Sequence, residues 1–189
     1  MKRLRVTLTP GQSRGANTIS IEEAIKELEK YRDSMQFKCD ILIRRLADIG
    51  VNAAMMTLAT KGQGDADRSA KFTVDINTAE GIVQGIITIT SNPHVNIDGR
   101  VFYPHLAWEF GAGNYFNTVD HPKASELGFG PGTFPGQKHV PEPGFWYYRD
   151  ENKDPIRSYG TQATMPMYNA SKEIILQIEE IAREVFSGQ

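Results

Sequence analysis

The chain has 189 residues and a mass of 21.1 kDa, which is about one domain. Hydrophobic residues at 40% and charged residues at 23% exclude wholesale disorder. No run approaches the ~18 apolar residues that a membrane span needs. The formal net charge of −2 is unlike that of a strongly basic nucleic-acid binder, so no sequence-specific nucleic-acid partner is expected.

The first residues, Met1-Lys2-Arg3-Leu4-Arg5-Val6-Thr7, are basic but lead into no apolar stretch, so a secretory signal is not expected. Residues 2–9 alternate loosely and predict a short strand that ends at Pro10-Gly11. Ser20 followed three residues later by Glu23 is a capping box and predicts a helix start. A helix over 20–59 follows, with Ile21, Leu28, Met35, Leu42, Ile49 and Met56 recurring every seven residues. Ile25, Cys39, Leu46 and Ala53 fill the second apolar position, and Arg32 interrupts it. Such a stripe buries one side of a helix against its own core or against another subunit, and both readings stay open. Gly50 inside it predicts a kink or a split. The lone Cys39 cannot form an internal disulfide, which fits a reducing compartment.

A β-meander is expected over 68–110. Strands at 69–76 and 81–90 are joined by Asn77-Thr78-Ala79-Glu80, and Asn96-Ile97-Asp98-Gly99 is a second turn signal. Residues 101–110 would add a strand weakened by Pro104. The pattern then stops. Residues 111–146 hold seven Gly, five Pro, five charged residues and no Ile, an irregular insertion. A hairpin is expected at 145–160, around the turn Asp150-Glu151-Asn152-Lys153-Asp154-Pro155. A C-terminal helix over 165–186 would take Thr164 or Met165 as N-cap, with Pro166 in its first turn. Its stripe is Met167, Ala170, Ile174, Ile178, Ile181 and Val185, and Gly188 can end it. The fold class is therefore α+β, a single domain over 1–189: a long N-terminal helix and a C-terminal helix packed on a small antiparallel β-sheet, with a long Gly/Pro/aromatic-rich insertion.

Chemistry finds little footing. The histidines, His94, His105, His121 and His139, make no paired helical motif. A small metal-dependent hydrolase using Asp120, His121, Glu126 and His139 is the alternative reading, weaker than locally bonded loop histidines. Cys39 falls on an apolar stripe, as a buried small hydrophobe would, and no G-x-S-x-G occurs. Gly128-Phe129-Gly130-Pro131-Gly132 leads into no helix, and Pro131 lacks a donor, so no phosphate cradle is expected. No enzyme activity, metal or cofactor is expected. The aromatics are more informative, because 14 of 18 lie between Phe102 and Tyr168. Rings with few charges match the composition of interface cores, and equally that of a loop pinned to its own domain.

Trp108-Glu109-Phe110-Gly111-Ala112-Gly113 resembles the E-F-G-T-G element of the head–tail joining, or tail-completion, proteins in the neck of tailed phages with long non-contractile tails. His105-Leu106-Ala107 stands at the place of that family's lead-in. Ala163-Thr164-Met165-Pro166-Met167-Tyr168-Asn169-Ala170 and the helix after it are similar to the family's C-terminal ending. Gly130-Pro131-Gly132-Thr133-Phe134-Pro135-Gly136-Gln137 and Gly144-Phe145-Trp146-Tyr147-Tyr148 look like the insertion carried by some phages and prophages of Gram-positive bacteria. The family's segment after the first helix has no counterpart at 60–72. The resemblance implies a structural virion protein, assembled in the host cytoplasm. It would act as a homo-oligomeric ring against the head connector and the tail-terminator or tail-tube proteins. Expected interface residues are Trp108, Phe110, Tyr115, Phe116, Phe129, Phe134, Phe145, Trp146, Tyr147 and Tyr148.

Overall fold

The computed structural model describes residues 20–61, 69–95, 101–113, 121–124, 126–127, 145–149 and 154–187. The expected strand at 2–9 and most of the 111–146 insertion lie outside the described residues. The class is α+β, with a long N-terminal helix, a C-terminal helix and antiparallel strands. None of the described helices is long and apolar enough to cross a membrane.

Helix α1 spans Ile21–Lys61, about 60 Å at ~1.5 Å per residue. The capping box opens it: the Ser20 N–H donates to Glu23 Oε2 (3.0 Å), and the Glu23 N–H donates to Ser20 Oγ (3.2 Å). The helix does not split at Gly50. Gly50 is buried where α1 meets two other elements, and an added Cβ would lie 2.7 Å from the Cδ1 atoms of both Ile174 and Ile87. Its missing side chain allows close approach.

The buried stripe of α1 also departs from the strict seven-residue repeat. Leu46, Ala47, Ala54, Thr57 and Leu58 are buried, while Met56 is 67% exposed. A straight helix drifts about 20° per heptad from a 3.5-residue repeat. The five heptads from Ile21 to Met56 accumulate roughly one residue of rotation, which turns Met56 outward and Leu58 inward. Cys39 is half-buried.

Strands β1 (Lys71–Ala79) and β2 (Ile82–Thr90) form a hairpin in register from Lys71↔Thr90 to Ala79↔Ile82. Its loop is Glu80-Gly81 and not Asn77–Glu80, because both residues have positive φ (51° and 80°), the geometry of a two-residue loop that matches strand twist. The hairpin packs one face on α1, so closely at Gly85 that a Cβ there would meet Ile43 Cγ2 at 2.7 Å. The meander expected over 68–110 is instead two separate two-stranded ribbons among the described residues, and the hairpin expected at 145–160 forms a third. The second pairs β3 (His94–Val95) with β4 (Val101–Phe102), and the third pairs β5 (Trp146–Arg149) with β6 (Pro155–Ser158). The strand expected over 101–110 ends at Phe102, and helix α2 (Pro104–Phe110) takes its place. Pro104 sits in the first turn of α2, where its missing N–H is harmless.

Helix α3 spans Pro166–Ser187. It runs antiparallel to α1: Ile174 lies at Gly50, Glu184 pairs with Arg45 (3.0 Å), and Lys38 Nζ reaches the Phe186 carbonyl (3.5 Å). The core lies between these helices and α2. Trp108 packs on Leu58, with Ala70, Phe72 and Ile89 around them.

Candidate functional site

Helices α2 and α3 complete each other. A helix leaves its last carbonyls and its first N–H groups without intrahelical partners. At the end of α2, the Trp108 carbonyl accepts from the Thr164 N–H (2.8 Å), the Met165 N–H (3.0 Å) and the Thr164 hydroxyl (3.1 Å). At the start of α3, the Met167 N–H donates to Glu109 Oε2 (2.8 Å) and the Tyr168 N–H to Glu109 Oε1 (2.9 Å). Met165 stands at the N-cap position, as expected, and the side chain that caps the free N–H groups is the distant Glu109. A carboxylate at a helix N-terminus also meets the positive end of the helix dipole.

His121 closes the knot. The Lys123 N–H donates to His121 Nδ1 (3.0 Å), which leaves Nε2 to carry the proton that His121 donates to Glu109 Oε1 (2.9 Å). This geometry assigns the Nε2–H tautomer. The ring sits between Phe110 and Tyr168, with centroids at 4.7 and 5.4 Å. Glu109 and His121 are both buried, at 8% and 6% exposure. One residue pair further on, Ala112 and Thr161 exchange both backbone hydrogen bonds (2.8 and 2.7 Å). Gly160, at φ +100°, lies so close that a Cβ would fall 2.0 Å from the Ala112 carbonyl oxygen. The two motifs that carry the family resemblance thus dock on each other.

An open groove of about 460 Å³ lies beside the knot. Phe110, Leu127, Met167, Tyr168 and Ile175 form its apolar surface, and Lys123 and Lys172 stand among its lining residues. Lys123 also pairs with Glu126 (3.0 Å), and Lys172 lies over the Tyr168 ring.

Of the expected interface residues, Phe110 lines this groove. Trp108 is only 7% exposed and belongs to the core, so its ring holds the fold. The Phe145 ring lies under the Arg157 guanidinium (3.7 Å), which also covers Tyr159 (4.8 Å). Trp146, Tyr147 and Tyr148 form strand β5. Tyr115, Phe116, Phe129 and Phe134 lie outside the described residues, as do Asp120 and His139 of the hydrolase reading. Both ring nitrogens of His121 are committed to internal bonds, and no three metal-ligating side chains converge among the described residues. Ser91 and His105 form a pair (Oγ to Nδ1, 2.9 Å), but Ser91 Oγ also accepts the His105 N–H (3.2 Å). That bond satisfies a first-turn donor of α2.

Sequence reasoning missed Glu109 as a cap. The signal was present: it is the one acid in His105–Gly113, an otherwise apolar stretch around Trp108. Compared with known proteins, the chain matches no family model, no curated protein and no solved structure.

Proposed function

We propose that this protein is a structural subunit that acts by protein–protein contact, self-assembling into a ring. On the resemblance of its Trp108–Gly113 and Ala163–Ala170 motifs, the ring joins or completes the head–tail neck of a tailed phage. One observation carries the self-assembly: many large apolar side chains are exposed and few are fully buried. Among the described residues, Leu46, Leu58, Trp108 and Ile181 are the large buried hydrophobics, against sixteen large hydrophobics left exposed. Isolated exposed apolar residues are ordinary on a monomer, but groups of them mark surfaces that are covered in use. Here they group on the start of α1, as Ile21, Ile25, Leu28 and Tyr31, and on α3, as Ile175, Leu176 and Ile178. The hydrolase alternative has less support, because His121 is committed to Glu109 and Lys123. Sedimentation velocity and negative-stain microscopy test the assembly, with ring-shaped multimers expected. A monomer persisting to millimolar concentration refutes it. Mass spectrometry of purified virions tests the neck assignment, which fails if the protein is absent from them.

A further inference from the structure

We infer that the exposed start of α1 in one copy seats in the groove beside Glu109 of the next copy, as a head-to-tail contact. This rests on the self-assembly proposed above and names the two surfaces that make it.

The first surface is a projecting helix. Lys38 meets the Phe186 carbonyl in the last turn of α3. Residues 21–37 therefore run on past that end for about 25 Å at ~1.5 Å per residue. Ile21, Ile25 and Leu28 stand at i, i+4 and i+7 on one face and are 62%, 50% and 64% exposed. That spacing is how an amphipathic helix presents its anchors to an apolar groove. The flanking positions are acidic: Glu22, Glu23, Glu27 and Glu29 outnumber Lys26 and Lys30.

The second surface is the groove. Its wall is apolar, with Leu127 and Ile175 at 54% and 71% exposure; Lys172 supplies positive charge along it, and Lys123 stands there paired with Glu126. Apolar anchors among carboxylates thus meet an apolar wall flanked by the Lys172 ammonium group. The two surfaces lie at opposite ends of the molecule. The groove is built on the first three turns of α3, whereas α1 projects beyond its last turn, about 30 Å away. Because α1 is one unbroken helix, its start does not fold back to its own groove. The contact is heterologous, the kind that closes into a ring when the rotation between copies allows it.

The experiment uses full-length Ile25→Glu and Ile175→Glu. Both positions are exposed, so circular dichroism is expected to match wild type. In sedimentation velocity, each variant alone should be monomeric where wild type is assembled. A 1:1 mixture should stop at dimers, because one intact α1 start and one intact groove remain per pair. Lys172→Glu should weaken wild-type association at least tenfold. If Ile175→Glu assembles like wild type, the groove is not the acceptor, and the inference falls while self-assembly stands. Pairing of two α1 starts, or a segment of the same chain filling the groove, would give that result. If both variants are monomeric but their mixture forms no dimer, the inference falls as well. A monomeric wild type at every concentration removes the assembly reading together with it.

Discussion

Replacing Glu109 with Gln keeps the side chain's shape and removes one acceptor. The two donors on Oε1, from His121 and Tyr168, can keep an oxygen, but the Met167 N–H then faces an NH₂ group where Oε2 had accepted it at 2.8 Å. A hydrogen bond to a charged group contributes about 1.5–3 kcal/mol. A carboxylate at a helix N-terminus adds about 0.3–2 kcal/mol. The two overlap, so Glu109→Gln should lose about 2–4 kcal/mol. Glu109→Ala strands all three donors and empties the site, for roughly 3–5 kcal/mol. Against a typical domain stability of about 5–15 kcal/mol, either loss is large. Urea unfolding followed by circular dichroism measures it. The Ile25→Glu background at low concentration keeps association from adding to the apparent stability. The midpoint should fall with an unchanged slope, and the Met167 and Tyr168 amides should exchange faster. A loss under about 0.5 kcal/mol for Glu109→Gln would refute the assignment of Glu109 as the cap of α3.

Three further outcomes follow from the same geometry. Gly160→Ala should lose about 2–4 kcal/mol, since it adds positive-φ strain and a clash with the Ala112 carbonyl. Gly81→Ala, at φ +80° with nothing within 4 Å, should lose only about 1–2 kcal/mol, and equal losses in urea melts would contradict this. Burial lowers the His105 pKa from its ordinary value, so the folded state favours the neutral ring. That contribution is fully present above the ordinary value of about 6.5 and is lost as pH falls below it. An NMR titration should place the His105 midpoint below 6.5, and His105→Gln should flatten stability between pH 7 and 5. In the Ile25→Glu monomer, amides of residues 21–37 should exchange faster than those of 42–58, because a helix without tertiary cover is marginal in water. Equal protection would show that this stretch needs no covering surface.

The parts of the fold written in local chemistry were legible in the sequence. Ser20 and Glu23 are three residues apart, and their reciprocal bonds are in place. The hairpin at 145–160 and the helix behind Pro166 likewise rest on signals within a few residues. What depends on distant partners was not legible. Residues 101–110 have strand-like composition, yet Ser91 Oγ accepts the His105 N–H and Trp108 enters the core, so a helix forms after Pro104. Gly50 looks like a breaker until Ile174 and Ile87 are seen against it. The cap of α3 is 57 residues upstream of Pro166, beyond any local pattern. Trp108 was expected at an interface because ring composition alone does not separate a surface anchor from a core residue.

The Ala112–Thr161 bridge has a consequence for how this chain tolerates change. It fixes the two ends of a long excursion side by side, locked by Gly160 and by the α2–α3 knot. Lengthening a loop whose ends are already held together is inexpensive, about 0.6 kcal/mol for each doubling. A change of length between Leu127 and Phe145, which spares His121 and the groove, therefore costs the scaffold little. An epitope tag or a foreign domain inserted between residues 127 and 145 should leave the two-helix scaffold standing.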